Sequence, residues 1–244
     1  MFTVMNKSTN VIVSKNSNII ELPILYSLRN CPYAMRARLA IFKAKQAVLL
    51  RDLVLSNKPA EMIAVSPKGT VPVLVLTNGT VIEESLAIML WALRATDPDD
   101  LLHRDEGGRK PSQQEGALAE MLLLINEFDT GFKTCLEAYK CAKRYQEDNI
   151  GQCREACQLY LEKLELRLSK HCYLISDKES LADIALIAFI RQFARIERQW
   201  YLQSPYPRVR QWLNSYLQSP VFTKVMAKYP LWLENRQDVL FGGN

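Results

Sequence analysis

Short apolar runs and helix-length apolar stripes alternate through the first hundred residues of this 244-residue chain, and a helical period takes over after that. Residues 23–26 and 49–54 have strand length, and 73–76 follow Pro72 as a third strand. Asn78-Gly79 then gives a strong short hairpin signal, pairing 73–76 with 80–82. Residues 35–43 read as an amphipathic helix, 59–64 as a short helix and 86–93 as an apolar one. The order is βαβ followed by ββα, compatible with a small thioredoxin-like α/β domain. Helices are expected at 113–128, 130–143, 151–170, 180–201, 206–218 and 220–229. Between the halves, Asp97-Pro98-Asp99-Asp100 and Arg104-Asp105-Glu106-Gly107-Gly108 have linker composition. The expected organisation is a flexible extension over 1–21, an α/β domain over 22–96, a linker over 97–111 and an all-α domain over 112–244.

Composition adds exclusions. A hydrophobic fraction of 48% is ordinary for a globular protein, and the length suits two modest domains. No apolar run approaches the roughly 20 residues that span a bilayer, and polar residues 1–18 lack the apolar centre of a signal peptide. A cytoplasmic protein with no membrane partner is expected. The net charge of +5 is scattered, with no basic stripe interleaved with aromatics, so no nucleic-acid partner is expected. Six cysteines in such a chain are expected to be reduced rather than to form a disulfide framework.

One of them stands out. Cys31-Pro32-Tyr33-Ala34 lies at a strand-to-helix turn, with Pro32 suited to the first helical position. A thiol there faces unpaired N–H groups and the positive end of the helix dipole, which favour the reactive thiolate. The same residue also reads as a small buried hydrophobe, a common fate of free cysteine. With no cysteine at position 34, a reactive Cys31 must complete its chemistry with an external thiol. Pro72, at the start of its strand, suits a cis bond. Glu83-Glu84-Ser85 opens the next helix and serves either as a cap or as a grip for ammonium and carboxylate groups.

Taken together, Tyr26 to Leu39, Asn57-Lys58-Pro59, Val71-Pro72 and Glu84-Ser85 resemble the glutathione-binding half of a cytosolic glutathione transferase. Among its classes they are most similar to the Omega-like, cysteine-type enzymes, of bacterial type. The resemblance runs from about residue 22 to the last helices. It implies the two-domain glutathione transferase fold and a homodimer, with glutathione as co-substrate and no metal. It places Cys31, with Pro32 and Tyr33, next to the glutathione sulfur. Val71 would pair with the cysteinyl backbone beside cis-Pro72, Glu84 and Ser85 would hold the γ-glutamyl end, and Lys58 the glycyl carboxylate. A cysteine there implies thiol transfer, deglutathionylation or dehydroascorbate-type reduction, with weak conjugation. Two rivals are conventional conjugation using Tyr26 or Ser27 and a non-enzymatic binding or regulatory protein of the same fold. Lys68 and Asn30 depart from the family pattern near the site.

Other residues read as structural. Ser180-Leu181-Ala182-Asp183 is a capping box opening an apolar helix. Cys153 and Cys157 share a helix face but have no further ligands placed for a metal. His103 is expected in a solvated loop, and Tyr26 as a packed strand residue. Tyr26, Trp200 and Tyr201 are the candidates for a second-substrate pocket, the latter two if they reach the cleft between domains.

Overall fold

The computed structural model describes residues 11–13, 19–104 and 111–243. They form two compact units: residues up to Thr96 together with those from Lys224, and Asp97–Thr223.

In the first unit, β1 (Val11–Val13) and β2 (Ile19–Glu21) make an antiparallel ribbon. Part of the expected flexible extension is therefore paired, and residues 1–10 and 14–18 lie outside the described residues. The main sheet has five strands: β3 (Ile24–Ser27), β4 (Val48–Asp52), β5 (Val73–Val75), β6 (Val81–Ile82) and β7 (Val239–Phe241). Their order is β6-β5-β3-β4-β7. Only β3 and β4 run parallel; the other pairings are antiparallel. Every residue of β3 and β4 is buried, the reason these strands read as continuous rather than alternating runs. Helices α1 (Pro32–Lys43) and α3 (Ser85–Ala95) pack against each other. Ala34, Ala37 and Ala40 of α1 are fully buried, small enough for close approach. The short α2 (Ala60–Val65) follows β4.

The C-terminus departs from expectation. Residues after 224 belong to the α/β unit, so the expected all-α span of 112–244 ends earlier. Strand β7 covers the edge of β4, with Val48 opposite Phe241 and Leu50 opposite Val239. An open strand edge needs a partner or a cover, and three residues are too few to announce a strand by alternation. The tail is also fixed by Arg51. Its guanidinium meets both oxygens of Asp238 at 2.6 and 3.1 Å and lies 4.3 Å from the Trp232 ring centroid.

The second unit holds α4 (Pro111–Glu127), α5 (Lys133–Tyr145), α6 (Ile150–Leu168), α7 (Leu181–Ala194), α8 (Arg198–Gln203) and α9 (Pro207–Leu217). A π turn over Phe128–Phe132 joins α4 to α5 without a break. Gly131 in that turn leaves room for the Tyr160 hydroxyl, which lies where a Cβ would stand. The single helix expected over 180–201 is two, separated by Arg195 to Glu197. The turn frees Glu197 to accept from Tyr139 at 2.7 Å and Arg154 at 2.6 Å. The described part of the expected linker is folded into this unit. The Asp97 carboxylate accepts from the N–H groups of Leu101 and Leu102, both buried. His103 is only 1% exposed, its Nε2 lying 3.1 Å from the Glu179 carbonyl, so it is not the solvated loop residue expected. Asp97 and Asp100 look like solvated charges in the sequence, but both turn inward as acceptors.

Asp183 anchors the unit. Its carboxylate accepts from Ser180 N–H (3.0 Å), Ser180 Oγ (2.6 Å), Leu174 N–H (3.0 Å) and Trp212 Nε1 (2.9 Å). The capping box thus also ties α7 to the 174 loop and to α9. Burial pushes this carboxyl up to about 6 against the pull of its donors. Asp183→Ala strands these buried donors and is expected to cost about 3–5 kcal/mol, read from urea unfolding. A loss under about 1 kcal/mol would mean the donors find other partners.

Candidate functional site

The site starts at the end of β3. The chain turns after Ser27, and the Cys31 N–H donates to the Leu28 carbonyl at 3.1 Å. Cys31 has extended backbone (φ −77°, ψ 124°), and its carbonyl accepts from the Met35 N–H, so it is the residue before the first helical turn. Pro32 takes the first helical position, where its lack of an N–H costs nothing. The Cys31 thiol is half-buried and faces the Val71 carbonyl, with Sγ 3.8 Å away. Val71–Pro72 is a cis bond, as Pro72 suggested. The Val71 N–H has no hydrogen-bond partner among the described residues. A thiol at a helix start therefore lies beside a backbone segment that is free to pair with an extended peptide.

The helix that follows reaches a second feature. Arg36 is 2% exposed, and its Nε donates to Ser85 Oγ at 2.9 Å. Ser85 is itself buried and opens α3. Arg36 also lies 5.0 Å from the Tyr33 ring centroid. Glu84, before Ser85, has extended backbone and an exposed carboxylate that meets Lys68 Nζ at 2.5 Å. That contact holds the Lys68 ammonium above its ordinary value. Glu83 accepts from Ser66 Oγ. Lys58 is exposed and reaches toward the same loop: a Cβ on Gly69 would stand 3.2 Å from its Nζ. Gly69 has φ +62°, a conformation that suits glycine. Residues 66–72 thus touch Cys31, Lys58, Glu83 and Glu84 around one loop, and Ser85 follows Glu84 in the chain.

The remaining candidates point elsewhere. Tyr26 is 2% exposed, and its hydroxyl accepts from Arg51 at 2.8 Å. Burial raises its phenol, opposed by Arg51. The Ser27 hydroxyl is fully buried and accepts from Arg38 Nε at 2.7 Å. Neither hydroxyl is presented to a ligand. Tyr201 is buried in the helical unit against Phe193, and burial raises its phenol as well. Trp200 packs on Phe193 and under Arg154, 4.7 Å from its ring centroid. Tyr26 and Tyr201 thus offer no open face for the pocket expected of them. Among the described residues, no group of three His, Cys, Asp or Glu side chains is arranged to hold a metal ion.

Sequence reasoning missed Arg36 and the pairing of Lys68 with Glu84. An arginine in an amphipathic helix reads as solvated. The available signal was its place among Ala34, Ala37 and Ala40, whose small side chains let neighbours close over the whole helix.

Comparison with known proteins gives consistent matches. Residues 25–100 match the glutathione S-transferase N-terminal domain and residues 129–220 its C-terminal domain. The chain is 26% identical over 210 residues to glutathione S-transferase omega-1 of Mus musculus, covering 84% of this chain and 81% of that protein. A glutathione transferase family member from Pseudomonas fluorescens with two glutathione bound superposes with a TM-score of 0.70 at 16% identity, covering 84% of this chain and 92% of that one. A glutathione transferase from Phanerochaete chrysosporium in complex with oxidised glutathione gives 0.68 at 19% identity, covering 84% and 94%.

A double-mutant cycle on Arg36→Met and Ser85→Ala should return a coupling of about 1–2 kcal/mol, the scale of a buried hydrogen bond to a charged donor. Additive effects would show that the two side chains do not hold α1 to α3.

Proposed function

Because the chain belongs to the glutathione S-transferase family, we propose that it is a glutathione-dependent thiol transferase of the cysteine type, with Cys31 as nucleophile. The observation that carries this reading is the pairing of an available thiol with two unavailable hydroxyls. Cys31 Sγ stands at the start of α1 beside Val71, while the hydroxyls of Tyr26 and Ser27 are buried against Arg51 and Arg38. A hydroxyl in this position would stabilise the thiolate of glutathione for conjugation. A cysteine instead takes part in exchange.

Glutathione would enter as an extended peptide. Its cysteinyl backbone pairs with Val71, whose N–H is free and whose carbonyl exchanges the Cys31 thiol for the ligand. Its ammonium displaces Lys68 from Glu84. Ser85 accepts from Arg36, which leaves its own proton to donate to the γ-glutamyl carboxylate. Lys58 meets the glycyl carboxylate as a charge pair, and Pro32 and Tyr33 flank the sulfur. In the reaction, the Cys31 thiolate attacks the glutathione sulfur of a mixed disulfide. That S–S bond breaks, and the substrate leaves as a thiolate and takes a proton. A second glutathione thiolate then attacks the Cys31-bound sulfur, forming oxidised glutathione and restoring Cys31. The sum is mixed disulfide plus glutathione giving free thiol plus oxidised glutathione. Reduction of a dehydroascorbate-type oxidant uses the same two electrons from two glutathiones, and conjugation is weak.

No helix among the described residues is long and apolar enough to cross a membrane, and the six cysteines are unpaired. We place the enzyme in the reducing cytoplasm. The homodimer is carried by the family likeness, and exposed apolar side chains such as Leu123 on α4 and Leu159 and Leu166 on α6 are available to it. Light scattering should then return twice the 28.0 kDa chain mass, and a strict monomer would remove the dimer alone.

The nucleophile is tested by incubation with oxidised glutathione and peptide mapping. The peptide of residues 30–36 should gain one glutathione, and Cys31→Ala should abolish thiol transfer. Transfer that persists in Cys31→Ala would overturn the assignment. Glu84→Ala and Ser85→Ala should each weaken glutathione binding by about 1–3 kcal/mol in calorimetry. Unchanged affinity in both would remove them from the site.

A further inference from the structure

Three cysteines outside the site cluster on two neighbouring helices: Cys135 on α5, and Cys153 and Cys157 on α6. The helices are joined by residues 146–149 alone, so they run antiparallel. Two sets of contacts fix their register. At one end, Tyr139 of α5 and Arg154 of α6 donate to the same oxygen of Glu197, at 2.7 and 2.6 Å. At the other, Tyr160 of α6 packs on Phe132 with ring centroids 5.6 Å apart and fills the space beside Gly131. Cys135 lies four residues from both Gly131 and Tyr139. Cys157 lies three residues from both Arg154 and Tyr160. Steps of three and four return to the same helix face, so the two cysteines occupy facing positions in the middle turn. The absence of a side chain at Gly131 leaves room for Tyr160 to seat between the helices at that end. Cys153 is one turn earlier in α6, level with Tyr139.

We propose that Cys135 and Cys157 are a redox pair that oxidised glutathione converts into a disulfide joining α5 to α6. The order of events follows from exposure. Cys157 is fully buried, and its thiol is pushed up to about 12 by that burial and by the nearby Cys135 and Cys153. An external disulfide reaches Cys135, which is half-buried, and not Cys157. The Cys135 thiolate attacks one sulfur of oxidised glutathione, whose S–S bond breaks, and the first glutathione leaves and is protonated. Cys157 loses its proton, attacks the Cys135 sulfur and displaces the second glutathione. Two thiols lose two electrons and two protons, and one oxidised glutathione becomes two reduced ones. The buried partner makes the second step slow, so the crosslink accumulates only when oxidised glutathione persists. Cys31 takes no part, and the inference stands apart from the function proposed above.

Arg154 gives a direct test, because trypsin cleaves there and separates Cys153 from Cys157. The full chain is incubated with oxidised glutathione, blocked with N-ethylmaleimide and digested without reduction, alongside a Cys31→Ala chain treated the same way. Peptide 134–140 should appear joined to 155–163 in both chains. Cys135→Ser should abolish that species and leave Cys157 alkylatable after denaturation, while Cys153→Ser should leave it intact. Linkage of 134–140 to the Cys153 peptide, 145–154, would overturn the proposal. So would a Cys135 that carries glutathione after long incubation while Cys157 remains a free thiol.

Discussion

The α/β unit depends on one buried charge. Arg38 is fully enclosed, and a guanidinium cannot stay there unpaired. It donates to Ser27 Oγ at 2.7 Å and to Asp52 Oδ1 at 2.6 Å. Ser27 ends β3 and Asp52 ends β4, so a single side chain holds α1 to the same end of both parallel strands. Burial works against both charges, drawing Arg38 down and Asp52 up, and each holds the other ionised. Breaking such a pair is costly because it leaves the survivor charged and dry. Cys31 stands in the turn between Ser27 and the helix that carries Arg38, and its position is a consequence of that lock. Arg36, two residues earlier, extends from another side of the helix to Ser85. Two arginines thus set the spacing between the thiol and the start of α3.

Much of this was legible in the sequence, where the signals are local. The β3 turn, the Pro-started α1, the Asn78-Gly79 hairpin and the Ser180–Asp183 box each depend on residues adjacent in the chain, and each appears in the structure. The hidden parts depend on partners far away in sequence. Arg51 and Asp238 are 187 positions apart, and nothing near Val239 announces a strand, because its reason for forming is the open edge of β4. The break between α7 and α8 was missed because its apolar run suits a longer helix. What ends α7 is the shared demand of Tyr139 and Arg154 for the Glu197 carboxylate.

The candidate site divides along the same line. Cys31, Pro72, Glu84 and Ser85 are candidates legible in the sequence because they sit at element ends with strong capping or turn signals. Arg36 is not, since a charged residue in a helix is normally solvated and only its neighbours' size reveals a closed environment. Tyr26 illustrates the converse. A strand tyrosine near the end of β3 is well placed by sequence for chemistry, yet its hydroxyl serves Arg51 and so belongs to the fixing of the tail.

The return of the chain to its starting unit shapes how the molecule comes into being. Because β7 follows the helical unit in sequence and sits against β4, the helical unit is an insertion within the α/β unit rather than a successor to it. During synthesis, the first ninety-odd residues emerge with the β4 edge bare and Arg51 lacking Asp238. They stay in that state until the helical unit and the segment that follows it have also been made. The helical unit has all its strand-free parts in hand earlier and can complete its core first. The sheet edge that opens with β4 therefore closes only after the helical unit between β4 and β7 has been made.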